Sequence, residues 1–233
     1  GTVLEMDEGH QFAKGHPGMH VFPALLAAAR NSEISGEGFL RAFIIGYDVG
    51  ARIGLASNLN PNMHPHGTWG GLGAAASLAA FFLKRRDSVA LCIYGDGLSY
   101  LPPDTGDKQY FKILSSLAGV KPEGSMPLQA VTNSLSGRFS RGSPVFIISS
   151  CEGDGTVPAA VRDLVGRGHE VTVLSPSSID FERLVSRIPR MSYEVLKLER
   201  QNRLTTLAGS GAMVIDWMPD MDLSQALMQV RGY

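Results

Sequence analysis

The stretch Pro144-Val-Phe-Ile-Ile-Ser-Ser150 decides the fold class that the sequence predicts. It is a short and continuous apolar run, whereas a strand with one face in water alternates apolar and polar residues. A run of this kind is typical of a parallel sheet that helices cover on both faces. We therefore expect an α/β fold built around this strand.

Strand-like and helical segments alternate on both sides of this stretch. Strands are predicted at residues 88–94, 170–174 and 212–216, with a further short strand at 193–198. Helices are predicted at residues 107–117, 127–139, 157–166, 181–188, 199–208 and 223–230. This alternation predicts right-handed βαβ units and a layered sheet with flanking helices.

The first third of the chain has a helical pattern instead. Apolar residues recur at helical spacing in residues 19–30, 37–56 and 68–85. The third of these helices is rich in glycine and alanine, which would let another backbone approach closely. Because the period changes near residue 84, we predict a helical segment over residues 1–83 and an α/β segment over residues 84–233.

Composition excludes several classes of protein. A formal net charge of -1 over 233 residues gives no electrostatic reason to expect binding to nucleic acid or to an anionic membrane. The longest apolar run, residues 70–83, is shorter than the roughly 20 residues that span a bilayer. We find no signal peptide and expect a cytoplasmic protein. The two cysteines, Cys92 and Cys151, are expected to be buried free thiols, without a disulfide or a zinc site.

Histidines concentrate near the amino end, in or beside Gly/Pro-rich loops. Five of the six lie in the first 66 residues, namely His10, His16, His20, His64 and His66. Histidine is the natural general acid or base near neutral pH, and the acidic residues Glu5, Asp7 and Glu8 stand close by in sequence. A carboxylate–histidine pair would suit proton abstraction beside a carboxylate group. Surface or structural histidines and a metal site remain alternatives, although no spacing here matches a zinc-binding helical pair.

Three motifs of the helical part resemble the MmgE/PrpD family. They are Leu4-Glu-Met-Asp-Glu-Gly-His-Gln-Phe-Ala-Lys-Gly-His-Pro-Gly18 with the following Pro23-Ala-Leu-Leu-Ala27, Gly46-Tyr-Asp-Val-Gly-Ala-Arg-Ile-Gly-Leu55, and Met63-His-Pro-His-Gly-Thr-Trp-Gly-Gly-Leu-Gly-Ala-Ala-Ala76. The family includes 2-methylcitrate dehydratase and cis-aconitate decarboxylase. The resemblance implies an all-helical domain and a carbon–oxygen or carbon–carbon lyase acting on small tricarboxylates. It also implies that no metal or other cofactor is needed.

The same resemblance implies which side chains form a site. Glu5 and Asp7 lie in the matching acidic loop, and His16 and His64 belong to the two His-Pro motifs. Glu5 stands where the family has an aspartate. The lysine and tyrosine that complete the family's site have no match in this chain, because the resemblance ends after Phe82.

The α/β part resembles a different, uncharacterised prokaryotic family with a von Willebrand factor A-like domain. The resemblance is carried by Lys84–Asp96, Leu101–Gly106, Tyr110–Leu114, Ser143–Ser150, Arg167–Pro176 and Asp216-Trp217. That family is associated with MoxR-type ATPases, so the resemblance implies a protein-interaction domain with such a partner. The Asp-x-Ser-x-Ser metal loop of these domains is not found, and their first strand is expected to be missing. Ser125 and Ser150 stand near the positions of the remaining metal ligands, so no metal site is expected.

Three functions remain open at this point. The first is a non-enzymatic interaction module, and the second is an MmgE/PrpD-class lyase with His16 and His64 as acid and base. The third is a chimera of two gene fragments without native activity. A homo-oligomer is also open.

Overall fold

The computed structural model describes residues 9–11, 13, 15–30, 34–56, 69–120, 124–180 and 188–217. The chain forms two compact units, an N-terminal unit (Leu4–Glu123) and a C-terminal unit (Gly124–Tyr233 with Gly1–Val3). The division predicted at residue 84 follows the change in sequence period, whereas the compact units divide at Glu123 and Gly124. Helices and a parallel sheet confirm the α/β class. Among the described residues, no helix combines the length and apolarity that crossing a membrane requires.

Three helices, a hairpin and a fourth helix make up the described part of the N-terminal unit. They are α1 (Pro17–Arg30), α2 (Gly36–Ala56), α3 (Trp69–Lys84), β1 (Val89–Tyr94), β2 (Leu98–Asp104) and α4 (Gly106–Ala118). The helices agree with the predicted ones within two residues at each end. The predicted helical pattern therefore does form helices here.

Gly46 allows α2 to contact α1 and α3 at the level of the backbone. A Cβ atom at Gly46 would lie 2.5 Å from Ser77 Cβ and 2.8 Å from Val21 Cγ1. Across the interface, a Cβ at Gly73 would lie 3.2 Å from the Gly46 carbonyl oxygen. Carbon atoms in contact are normally about 3.5–4.0 Å apart, so Gly46 has no room for a side chain, and the space at Gly73 is tight. The small residues of α3 thus serve the close approach that the sequence predicted.

The β1–β2 hairpin packs with the helices of the N-terminal unit. Its strands are antiparallel, with Leu91 opposite Leu101. Val89, Leu91 and Ile93 on one face of β1 pack against a buried cluster from α3 and α4. The side chain of Gln109 on α4 donates to the backbone oxygens of Val89 at 2.7 Å and Pro102 at 2.8 Å. The apolar face of β1 explains why this strand groups with the helices that precede it.

The C-terminal unit is built on a three-stranded parallel sheet. Its described elements are α5 (Leu128–Ser134), β3 (Val145–Ile148), α6 (Val157–Gly166), β4 (Val171–Pro176), α7 (Arg190–Gly209) and β5 (Met213–Trp217). The strand order is β3-β4-β5, and Val173 at the centre pairs with Ile147 and Val214. Every residue of β4 is buried. The parallel sheet predicted from the apolar run at 144–150 is therefore confirmed.

The strand predicted at residues 193–198 is wrong, because these residues belong to the single helix α7. Tyr193, Arg200, Leu204 and Leu207 are its buried residues, and their spacing of seven, four and three follows the helical period. The alternation within 193–198 is too short to outweigh this longer pattern. Apart from Ile188, the helices predicted at 181–188 and 223–230 lie outside the described residues.

Candidate functional site

Of the four predicted catalytic residues, only His16 lies within the described residues. Glu5, Asp7 and His64 lie outside them. His16 directly precedes α1, is half-buried, and its carbonyl oxygen accepts a hydrogen bond from the Met19 amide at 3.2 Å. The four residues therefore remain a predicted set, with His16 located at a helix amino end.

A short turn holds His10 and His16 close to this helix end. The His10 amide donates to the Gly15 carbonyl at 2.9 Å, and the Ala13 amide donates to His10 Nδ1 at 3.1 Å. Because Nδ1 acts as an acceptor, neutral His10 carries its proton on Nε2. A Cβ at Gly9 would lie 3.9 Å from His16 Cε1, so the imidazole of His16 lies beside this glycine. His10 thus organises the turn, while His16 is the better candidate for chemistry.

The amino end of α1 adds a second property to the surroundings of His16. The helix dipole gives such an end a partial positive charge, which favours carboxylate groups. His20, one turn further along α1, is fully buried and belongs to the packing of this helix. An imidazole beside a helix amino end can bind an anion and exchange a proton with it.

Sequence reasoning missed a second cluster, centred on Arg200 of α7. The Arg200 side chain is 3% exposed. Its Nη2 donates to Asp216 Oδ1 at 2.7 Å, to the Ser175 carbonyl oxygen at 2.8 Å and to Ser175 Oγ at 3.1 Å. Its Nη1 lies 3.4 Å from both the Ser150 carbonyl oxygen and Glu152 Oε1. Five oxygens therefore surround one guanidinium.

These oxygens come from the carboxyl ends of all three parallel strands. Ser150 and Glu152 follow β3, Ser175 lies near the end of β4, and Asp216 is the penultimate residue of β5. Ligands of α/β domains usually bind outside this edge of the sheet. In this chain the guanidinium of Arg200 supplies the positive charge that pairs with the carboxylates of Glu152 and Asp216 at this edge.

Further hydrogen bonds hold the loops of this edge. Ser175 Oγ donates to the Ser150 carbonyl at 3.1 Å, and Ser178 Oγ donates to Glu152 Oε2. Ser150 and Ser125 are the residues that stand near metal-ligand positions by resemblance. The carbonyl of Ser150 accepts hydrogen bonds from protein donors, and Ser125 is exposed. Within the described residues, no group of three or more His, Cys, Asp or Glu side chains is arranged to hold a metal ion.

Cys151 lies beside this cluster in an unusual backbone conformation. Its φ of 57° falls in the left-handed region, and its side chain is 1% exposed. Burial raises the pKa of the Cys151 thiol, although hydrogen bonding to Ser149 and the nearby arginines oppose the shift. Cys92 is half-buried, and burial raises its pKa to about 11. Both cysteines are free, and both thiols stay protonated at neutral pH.

Asp154 connects the loop after β3 to the start of α5. Its Oδ2 accepts the Leu128 amide at 2.7 Å, and its Oδ1 accepts the Thr156 amide at 2.8 Å and the Thr156 hydroxyl at 2.6 Å. Partial burial opposes ionisation of this carboxyl, but the three hydrogen bonds outweigh it and lower its pKa. Asp154 therefore holds the loop after β3 against the start of α5.

Comparison with known proteins supports part of the predicted resemblance. The MmgE/PrpD N-terminal domain family matches residues 2–93, which is less than half of the chain. The match includes Glu5, Asp7, His16 and His64, and it extends beyond residue 83 into β1. The predicted resemblance of the helical segment is thereby confirmed.

No curated protein shows a significant match to the chain. Among solved structures, the conserved hypothetical protein BatB from Bacteroides thetaiotaomicron is similar, with 16% sequence identity and a TM-score of 0.42. The similarity covers 70% of this chain and 89% of that protein. The resemblance of the α/β part to von Willebrand factor A-like domains stays a prediction.

Proposed function

We propose that the chain is a non-enzymatic protein-interaction module of the von Willebrand A-like type that carries a truncated MmgE/PrpD-like segment. The observation that supports this proposal is the guanidinium of Arg200 at the carboxyl edge of the sheet. It occupies the place where an α/β domain ordinarily receives a ligand. Because its own arginine fills the usual ligand edge, such a domain would bind partners through its outer surface.

The energetics of the Arg200 cluster support the same conclusion. A small ligand that took the place of Arg200 would separate it from Asp216 and Glu152, and leaving one partner of a buried ion pair uncompensated costs about 3–5 kcal/mol. The ligand would have to recover that free energy before it gained any affinity. A partner that binds elsewhere on the surface meets no such cost.

The proposed partner is a MoxR-type ATPase, in line with the predicted resemblance of residues 84–233. Biolayer interferometry with the purified full chain and a purified MoxR-type ATPase tests this directly. We expect saturable binding with a Kd of about 10 µM or tighter. Gly36→Ala, at a position with open space around it, is the control variant, and we expect it to keep binding. A flat response up to about 100 µM ATPase would contradict the proposal.

A second candidate function is an MmgE/PrpD-class lyase acting on small tri- or dicarboxylates. The domain match over residues 2–93 and the position of His16 at the amino end of α1 favour it. His16 and His64 would act as acid and base, with Glu5 and Asp7 as the acidic partners. The assay incubates the full chain with 2-methylcitrate, citrate and cis-aconitate and follows the products. Turnover that is lost in His64→Ala but kept in His10→Asn would support the lyase, and none above buffer would reject it.

We also propose that the protein is prokaryotic and cytoplasmic and that it has no nucleic-acid partner. Light scattering tests whether it forms a homo-oligomer. The third alternative is that the chain is a chimera of two gene fragments without native activity. Sequencing the gene across residues 80–90 in its source decides it, because a natural protein requires one continuous reading frame.

A further inference from the structure

An apolar stripe runs along the outer face of α7. Met191, Val195 and Leu198 are 78%, 52% and 60% exposed and lie at i, i+4 and i+7. The helix buries its opposite face through Tyr193, Arg200, Leu204 and Leu207. Single exposed apolar residues are ordinary, but a stripe at this spacing is the pattern by which helices dock onto partners.

Hydrogen bonds of the opposite face hold α7 in the C-terminal unit. Arg200 Nη2 contacts Asp216, one residue before β5 ends. The Tyr193 hydroxyl, which donates to Asp180 at 2.6 Å, holds the inner face two turns before Arg200. The outer face is left to solvent.

Acidic residues border the stripe on both sides. At 100° per residue, Glu194 and Glu199 lie about 70° to either side of its centre. Both are exposed, and within the described part of the chain neither carboxylate forms an ion pair. Lys197 lies toward the inner face, with its ammonium 5.6 Å from the Tyr193 ring centroid. The stripe therefore has one glutamate on each side, and the exposed Arg190 lies one turn before Glu194.

We infer that this outer α7 surface (Met191, Glu194, Val195, Leu198 and Glu199) binds a partner helix whose apolar face is bordered by lysine or arginine. The inference rests on the proposed function, because it names the surface that the interaction module uses. Oppositely charged rims favour encounter and fix the orientation of the partner. A second copy of this chain fits poorly, since a two-fold interface through this surface would oppose glutamates.

Two synthetic peptides of 18 residues test the inference by fluorescence anisotropy with the full chain. Both carry leucine at helical positions i, i+3, i+4 and i+7, and their other positions are lysine in one peptide and glutamate in the other. We expect the Leu/Lys peptide to bind at least about tenfold more tightly than the Leu/Glu peptide. Exchanging both rim residues, Glu194→Lys with Glu199→Lys, is expected to reverse this preference.

Val195→Asp is expected to weaken binding of the Leu/Lys peptide at least about tenfold. Ile44→Asp is the matched control, because Ile44 is an apolar helical residue of similar exposure, 62%, in the other unit. Circular dichroism establishes that both variants are folded; if Val195→Asp is not, Met191→Asp replaces it. Equal binding of the two peptides, or unchanged binding in the folded stripe variant, would overturn the inference. So would concentration-dependent dimerisation that Val195→Asp abolishes.

Comparison with the ATPase experiment separates this inference from the proposed function. ATPase binding that Val195→Asp leaves unchanged would reject the α7 surface and leave the interaction module standing. Peptide binding through the stripe without any ATPase binding would reject the proposed partner and leave the surface standing.

Discussion

The guanidinium of Arg200 lies 2.7 Å from the carboxylate of Asp216, although the two residues belong to a helix and to the strand that follows it. This contact sets the level of α7 against β5, and the same guanidinium also reaches residues at the ends of β3 and β4. Arg200 therefore joins three strand ends and pairs with two half-buried carboxylates, those of Asp216 and Glu152.

Arg200→Met is expected to destabilise the chain by about 3–5 kcal/mol, because it leaves the Asp216 and Glu152 carboxylates without their buried partner. Urea unfolding followed by circular dichroism measures the change. Arg190→Met, which removes an exposed arginine from the same helix, is expected to change the free energy of unfolding by less than about 0.5 kcal/mol. A loss below about 1 kcal/mol in Arg200→Met would show that the cluster is not the structural centre described above.

Gly46→Ala is expected to destabilise the N-terminal unit by about 1–3 kcal/mol, since its methyl group would overlap Ser77 and Val21. Gly36→Ala adds the same methyl group to α2 at a position with nothing within 4 Å. That control is expected to be neutral or slightly stabilising. Thermal unfolding of both variants checks the prediction, which fails if their midpoints agree.

Cys151→Gly is expected to be about 1 kcal/mol more stable than Cys151→Ala. Both substitutions remove the thiol, but only glycine adopts the φ of 57° at this position without steric strain. Chemical denaturation of the pair isolates the backbone term. An alanine variant as stable as the glycine variant would mean that the left-handed conformation carries no strain.

Asp154→Asn is expected to reduce the loss of stability in acid. The pKa of Asp154 is lowered in the folded state, so its contribution is present at pH values above its unfolded pKa and is lost as the pH falls through the folded value. The variant lacks this titration and is less stable at neutral pH, because an amide nitrogen replaces one accepting oxygen. Unfolding free energies between pH 7 and roughly pH 2 test this. An unchanged acid slope, with Asp96→Asn as the exposed control, would contradict it.

Features that depend on local pattern were predictable from the sequence. The apolar run at 144–150 indicated β3 and its parallel sheet, and helical spacing indicated α1 to α4. β2 was missed because Pro102 and Pro103 oppose strand formation and are tolerated only at a sheet edge. The strand predicted at 193–198 was wrong because the buried residues of α7 become evident only over two further turns.

The same distinction between local and long-range patterns applies to the candidate sites. His16 was found from a short motif, and the domain match over residues 2–93 includes it with Glu5, Asp7 and His64. Arg200 was missed, because its acceptors lie 16 to 50 positions away in sequence and converge only in the folded sheet. A buried arginine in phase with Leu204 and Leu207 was the one available signal, and it required α7 to be recognised as a single helix.

The affinity of the full chain for a MoxR-type ATPase, measured by isothermal titration calorimetry, tests the interaction-module account most directly. The account predicts saturable binding that His64→Ala leaves unchanged. Heats no larger than those of dilution, with the ATPase at about 100 µM and the chain folded, would contradict it.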